Sequence, residues 1–237
     1  MRGDDRRAHT SGRLLLAAIL LALAHVGVLP DEAPAGDERP SRHERPISPT
    51  PVSLRAARWQ TATTLRKFTL ANDPARELVF TFPDDAHGRI GYLYTRKPYG
   101  LTGFSVYEAT YRVDVVAGDP VFEWASPDNT CPNPADVRLF LWGTDPSGEF
   151  ARWWSHAGAR ELEPGVFAIA ADLDDLADWS SVFGTFANDS AAATEGFLRA
   201  KASALVGVTC GGGCFFGHGV GTTGGIAEFG LIDFEAR

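Results

Sequence analysis

Beyond residue 77 apolar and polar residues alternate along most of the chain, the two-residue period of a strand with one face buried. The stretches ELVFTF (77–82), RIGYLYT (89–95), FSVYEATYRVDVV (104–116) and PVFEWA (120–125) come first. DVRLFLWG (136–143), EFARWWS (149–155), GVFAIAADL (165–173), ALVGVTC (204–210) and GIAEFGLIDFEA (225–236) follow. In the third of these, Tyr107, Ala109, Tyr111, Val113 and Val115 take one face, while Glu108, Thr110, Arg112 and Asp114 take the other. The segments are rich in β-branched and aromatic residues, which suit a pleated, half-buried surface. Turn-forming GDP, SPDNTCPNP, GTDPSG and EPG separate them. Only SAAATEGFLRAKA (190–202) reads as a helix, opened by Ser190 as a cap, with Glu195 in the turns that follow. Strand upon strand, one short helix and no strand–helix alternation predict an all-β, two-sheet antiparallel sandwich.

The first 58 residues do not share this pattern. Arginine-bearing MRGDDRRAHTSGR leads into the unbroken apolar LLLAAILLALA (14–24), and Ala22-Leu23-Ala24 places small residues where a signal peptidase reads. That order is a secretory signal peptide over 1–24. A membrane span needs about 20 apolar residues, and this run falls short even when extended through His25 to Leu29. An uncleaved anchor is the alternative. Residues 25–58 hold six of the 15 prolines and no aromatic residue before Trp59. Such a segment cannot bury enough surface to order itself and reads as a disordered, flexible linker. The domain is then expected over 59–237, and the protein is placed outside the cytoplasm: secreted, periplasmic or in the cell envelope.

Composition narrows the partners. The hydrophobic fraction is 44%, with 6 Trp and 15 Phe, ample for a single core. A net charge of -8 argues against nucleic acid and against an anionic membrane surface. No membrane partner is expected beyond the export signal.

Glycine is dense from Gly207 to Gly225, around Cys210, Cys214 and His218. Each glycine in a helix costs about 1 kcal/mol relative to Ala, so the segment is not helical. In a straight strand the three side chains would share a face but stand roughly 13 Å end to middle, too far to share an ion. The expected reading is a turn at 211–213, with or without a disulfide. Cys210, Cys214 and Cys131 are the disulfide candidates, and with three cysteines one is left over. Zinc would need a fourth ligand that the segment lacks, so no metal is assigned.

The stretches ARWWSHAGARELEPGVFAIAADLDDLADWSSVFG (151–184) and VGVTCGGGCFFGHGVGTTGGIAEFGLIDFEAR (206–237) resemble the C-terminal half of jelly-roll sandwiches of the galactose-binding-like, carbohydrate-binding-module type. The closing pattern is Phe229-Gly230-Leu231-Ile232-Asp233-Phe234. The resemblance implies a jelly roll whose last strand runs through the middle of a sheet. It also implies an exported, non-enzymatic domain that binds a polysaccharide or other glycan, with a structural calcium as the one ion admitted. The alternatives are a structural or protein-interaction module of the cell envelope and, third, a polysaccharide hydrolase or lyase.

No catalytic residue is assigned. The nucleophile elbow, HExxH, the P-loop and GxGxxG are absent. His87 and His156 sit in turn-like contexts without a visible nucleophile. Asp172, Asp174, Asp175 and Asp178 read as a solvated acidic turn; a calcium site there would lack the full loop spacing. Trp153 and Trp154, as strand neighbours, must point to opposite faces, and Arg152 shares the face of Trp154. Tyr92, Tyr94 and Arg96 likewise share one face. These six are the candidate ligand-binding residues, because aromatic faces stack on sugar C–H surfaces while polar groups beside them hydrogen-bond. Packing is the commoner use of a strand aromatic.

Overall fold

The computed structural model describes residues 50–63, 70–84, 89–124, 134–143, 145, 148, 150–212 and 219–237. Thirteen strands are described: β1 (Thr50–Pro51), β2 (Trp59–Thr63), β3 (Ala71–Asn72), β4 (Leu78–Thr81), β5 (Ile90–Thr95), β6 (Val106–Trp124) and β7 (Ala135–Trp142) in the first half. β8 (Arg152–Ser155), β9 (Arg160–Glu161), β10 (Gly165–Asp172), β11 (Trp179–Ser181), β12 (Leu205–Gly212) and β13 (Val220–Ala236) complete them. One helix, α1 (Ala191–Ala202), lies between β11 and β12. Every ladder between strands is antiparallel.

Hydrogen-bonded neighbours run in the order β10-β6-β13-β5-β12-β7-β8-β11, with β1 and β4 on β13, β2 on β5 and β9 on β7. Between β13 and β5 the link narrows to the single pair Val220–Ile90. There the path divides into two layers facing each other. Tyr107 on β6 shows the stacking: its hydroxyl accepts the Gly207 N–H of β12 at 2.8 Å and lies 3.3 Å from the Phe140 carbonyl of β7. The chain is an all-β antiparallel sandwich.

The last strand is an inner member, as its apolar pattern requires. β13 pairs with β6 along most of its length, and with β4 and β1 on its other edge. A strict two-residue period would place Phe229 and Leu231 inside and Phe234 outside. A register shift between Leu231 and Asp233 supplies the extra residue, and all three side chains are buried. Phe229 stacks between Phe80 and Tyr111, with centroids 5.0 and 5.1 Å away, and Phe234 meets Trp59 and Tyr107 edge-on. Burying each such ring contributes up to roughly 3 kcal/mol.

Three expectations about the elements change. Segments 104–116 and 120–125 form one strand, because Gly118 (φ 66°) and Gly224 (φ 73°) absorb the GDP sequence as a bulge within the β6–β13 ladder. β12 continues through Gly211 and Gly212 instead of turning there. Gly212 is needed because the Trp124 ring lies where its Cβ would be. The packed region begins before residue 59: β1 pairs with the end of β13, and Val52 is buried and donates its N–H to Phe234 O at 2.8 Å. The short strands β2 and β11 had no clear period of their own. The helix stands where expected, with Ser190 Oγ accepting the Ala193 N–H at 3.1 Å. Its Phe197 packs on Trp153 and Trp179. The expected signal peptide and most of the expected linker lie outside the described residues.

Candidate functional site

The site grows from alternation on four adjacent strands. On β5, Leu93 enters the core and Tyr92 and Tyr94 face away from it. On β7, Val137, Leu139 and Leu141 point in, while Phe140 and Trp142 point out. On β8, Trp153 is fully buried in the main core and Trp154 belongs to the outer cluster. β12, between β5 and β7, presents Leu205, Gly207 and Thr209 to this outer face. Across the bare Gly207, rings from the two neighbouring strands meet. Tyr92 lies 4.9 Å from Phe140, and Tyr94 lies 5.3 Å from Trp142.

Arg152 ties the patch together. Its guanidinium carbon sits 5.7 Å from the Trp142 centroid and 5.9 Å from that of Trp154, within cation–π range. Its Nη1 donates to the Tyr92 hydroxyl at 3.3 Å. Burial pushes the Tyr92 phenol up, against the lowering effect of Arg152. The Tyr94 phenol is raised too, by burial, with Arg96 opposing.

Exposure sorts the expected ligand residues. Trp153 is core material: its Nε1 donates to Phe150 O at 2.9 Å, and its ring stacks on Phe150. It cannot meet a ligand, because β8 turns that face inward. Trp154 lies on the expected face with Arg152 but is only 2% exposed, so it underlies the patch. Tyr92 is nearly buried, whereas Tyr94, Trp142 and Arg152 remain half-buried. Arg96 follows β5 directly and is exposed; its N–H donates to Arg58 O at 2.7 Å. Arg96 lines two neighbouring depressions. One, of about 410 Å³, also has Arg58, Lys97 and Tyr99; the other, of about 550 Å³, has Gln60 and Leu70.

Trp142 and Phe140 were missed from sequence. DVRLFLWG is apolar on both faces, which reads as a strand buried on both sides. That double apolarity was the available signal of a second, outer cluster.

Polar residues continue the same face. Thr209 pairs in register with Arg138, whose Nε and Nη2 donate to Asp136 Oδ2 at 3.0 and 2.6 Å. Burial raises the Asp136 carboxyl above its usual range, against the lowering pull of Arg138. His156 Nε2 stands 2.7 Å from Ser180 Oγ. Burial lowers the His156 pKa, with Arg138 acting in the same sense and Asp178 opposing.

The acidic turn has structural duties. Asp172 Oδ1 accepts the N–H groups of Asp174 and Asp175, and Asp175 caps the short 3-10 turn at Leu176–Asp178. Asp174 pairs with Lys201 at 2.7 Å. Asp178 is buried and accepts from Ser155 Oγ at 2.7 Å and from the His156 and Ala157 N–H groups. Among the described residues no group of three His, Cys, Asp or Glu side chains converges to hold a metal ion.

Cys210 carries a free thiol, buried on the core side of β12, and burial raises its pKa well above the usual range. Cys131, Cys214, His218 and His87 lie outside the described residues. No protein-family model matches the chain, and no curated protein matches it.

Proposed function

We propose that the protein is an exported, non-enzymatic β-sandwich that binds carbohydrate on the outer face of the β2-β5-β12-β7-β8 layer. The observation that carries this reading is the half-buried pair Tyr94 and Trp142, 5.3 Å apart, with Arg152 over Trp142. Amphipathic rings fixed by packing offer a flat apolar surface at small entropic cost, and guanidinium and amide groups beside them supply hydrogen bonds. The resemblance to carbohydrate-binding sandwiches supports the same assignment.

Affinity electrophoresis of the protein through gels containing polysaccharides tests it. The expected result is retardation in at least one polysaccharide, weakened about tenfold by Trp142→Ala with the unfolding midpoint little changed. No retardation by any polysaccharide, with or without calcium, would overturn the proposal.

A second reading, an interaction module of the cell envelope, is favoured by one observation. Val115, Val116, Val121 and Ile226 are exposed together on the β6–β13 ribbon. If that ribbon were the working surface, V121D/I226D would abolish partner capture while leaving the electrophoretic behaviour of Trp142→Ala irrelevant.

A further inference from the structure

We infer that the ligand of the aromatic face is an anionic polysaccharide, gripped by Arg58, Arg96, Lys97 and Arg152 on either side of the Tyr94–Trp142 platform. The inference rests on the carbohydrate-binding proposal and specifies its ligand.

The argument starts from how this acidic chain, of net charge -8, uses its cations. Six of the described cations are matched by carboxylates. Arg112 is surrounded by Asp73, Glu77, Asp114 and Glu228. Arg138 pairs with Asp136, Arg160 with Glu163, Arg199 with Glu195, Lys201 with Asp174, and Arg237 with Glu108. Among the described residues, no carboxylate pairs with Arg58, Arg96, Lys97 or Arg152, nor with Arg55 and Arg76, which line neither depression beside Arg96. Unmatched positive charge in a chain with surplus carboxylates is a local departure from its own charge balance.

The four cations gather at one end of the layer. Leu205, Trp142 and Arg152 stand opposite one another across β12, β7 and β8, one side-chain step beyond the Gly207–Tyr94 pair. Arg96 occupies that same step past Tyr94, and Arg58 is bonded to its backbone. Among the described residues, no carboxylate lines either depression beside Arg96. At about 4.8 Å between strands, the span from Arg58 on the β2 side to Arg152 on β8 is roughly 19 Å. A surface of that width fits several sugar units bearing regularly placed charges better than one charged group. Guanidinium groups bind carboxylate and sulfate oxygens in the same forked geometry, so uronates and sulfated sugars share the required chemistry.

The test measures binding of the full chain to polygalacturonate and alginate, to dextran sulfate, to neutral dextran and starch, and to poly-glutamate. Acidic polysaccharides are expected to bind about tenfold or more tightly than neutral ones, with affinity falling as salt rises. The exposed pair R58Q/K97Q should lose about tenfold on acidic chains and leave neutral ones unchanged. R96Q/R152Q should do the same; the first pair guards against a loss caused by unfolding. Preference for the uronates or for the sulfated chain both support the inference and identify the anion. Equal binding of neutral chains, unaffected by these variants, overturns it and leaves the carbohydrate proposal standing. Poly-glutamate bound as tightly as the acidic polysaccharides overturns it as charge without sugar recognition. Binding of no polysaccharide overturns both.

Discussion

Single side chains join the two layers and set the surface chemistry. Tyr107 is the clearest case, since its ring fills the core while its hydroxyl serves the Gly207 backbone of the opposite layer. The adjacent tryptophans divide the work by strand parity, Trp153 inward and Trp154 outward, and that division was legible in sequence. Which tryptophan meets solvent was not, because exposure depends on rings arriving from other strands. His156 makes a residue-scale prediction. Burial and Arg138 hold its folded pKa below the unfolded value of about 6.5, so protonation favours the unfolded chain. Its contribution to stability is therefore present above that value and is lost as pH falls from about 7.5 through 6.5 toward the folded pKa. His156→Gln cannot titrate. In urea unfolding at pH 7.5 and 5.5, the variant should gain on the wild type as pH falls. A stability difference that does not change with pH would refute this.

At the scale of elements, long strands bend by glycine. β6 and β13 stay paired across the GDP sequence because Gly118 and Gly224 both take positive φ. A Cβ on Gly118 would stand 2.5 Å from the Gly224 carbonyl oxygen. Gly118→Ala is expected to cost about 2–3 kcal/mol. Gly184→Ala, also at positive φ (78°) but in open space, should cost only about 1 kcal/mol of backbone strain. Equal unfolding midpoints for the two variants would show that contact at the bulge contributes nothing. GDP looked like the end of a strand because turn residues serve bulges equally well. The partner glycines that decide between the two lie more than a hundred residues away.

At the scale of the molecule, the boundary of the sandwich lies upstream of where composition placed it. β1 and Val52 cover the end of β13, and Trp59 Nε1 donates to Ser53 O at 2.8 Å. A chain beginning at residue 59 should be less stable than one beginning at 45 by roughly 2–4 kcal/mol, from one buried valine and the lost hydrogen bonds. Coincident denaturation curves for the two would count against this. Proline-rich composition hid the segment, because prolines at a sheet edge look the same as prolines in a linker.

Alternation by itself determined the class of fold, the sites of most strands and the inward closing residues Phe229 and Leu231, whereas Phe234 turns inward only through the register shift of β13 against β6. Period-2 burial is a local property of the chain, so it can be read from local sequence. It also determined that Tyr92 shares a face with Tyr94, and Trp154 with Arg152. Only the tertiary structure decided that these faces are one surface, that Trp142 belongs to it, and that Trp153 does not. It alone separated the paired cations from Arg58, Arg96, Lys97 and Arg152. Those outcomes depend on strand order and on the bare Gly207–Thr209 stretch of β12, which are set by distant pairing and leave no periodic trace in the chain.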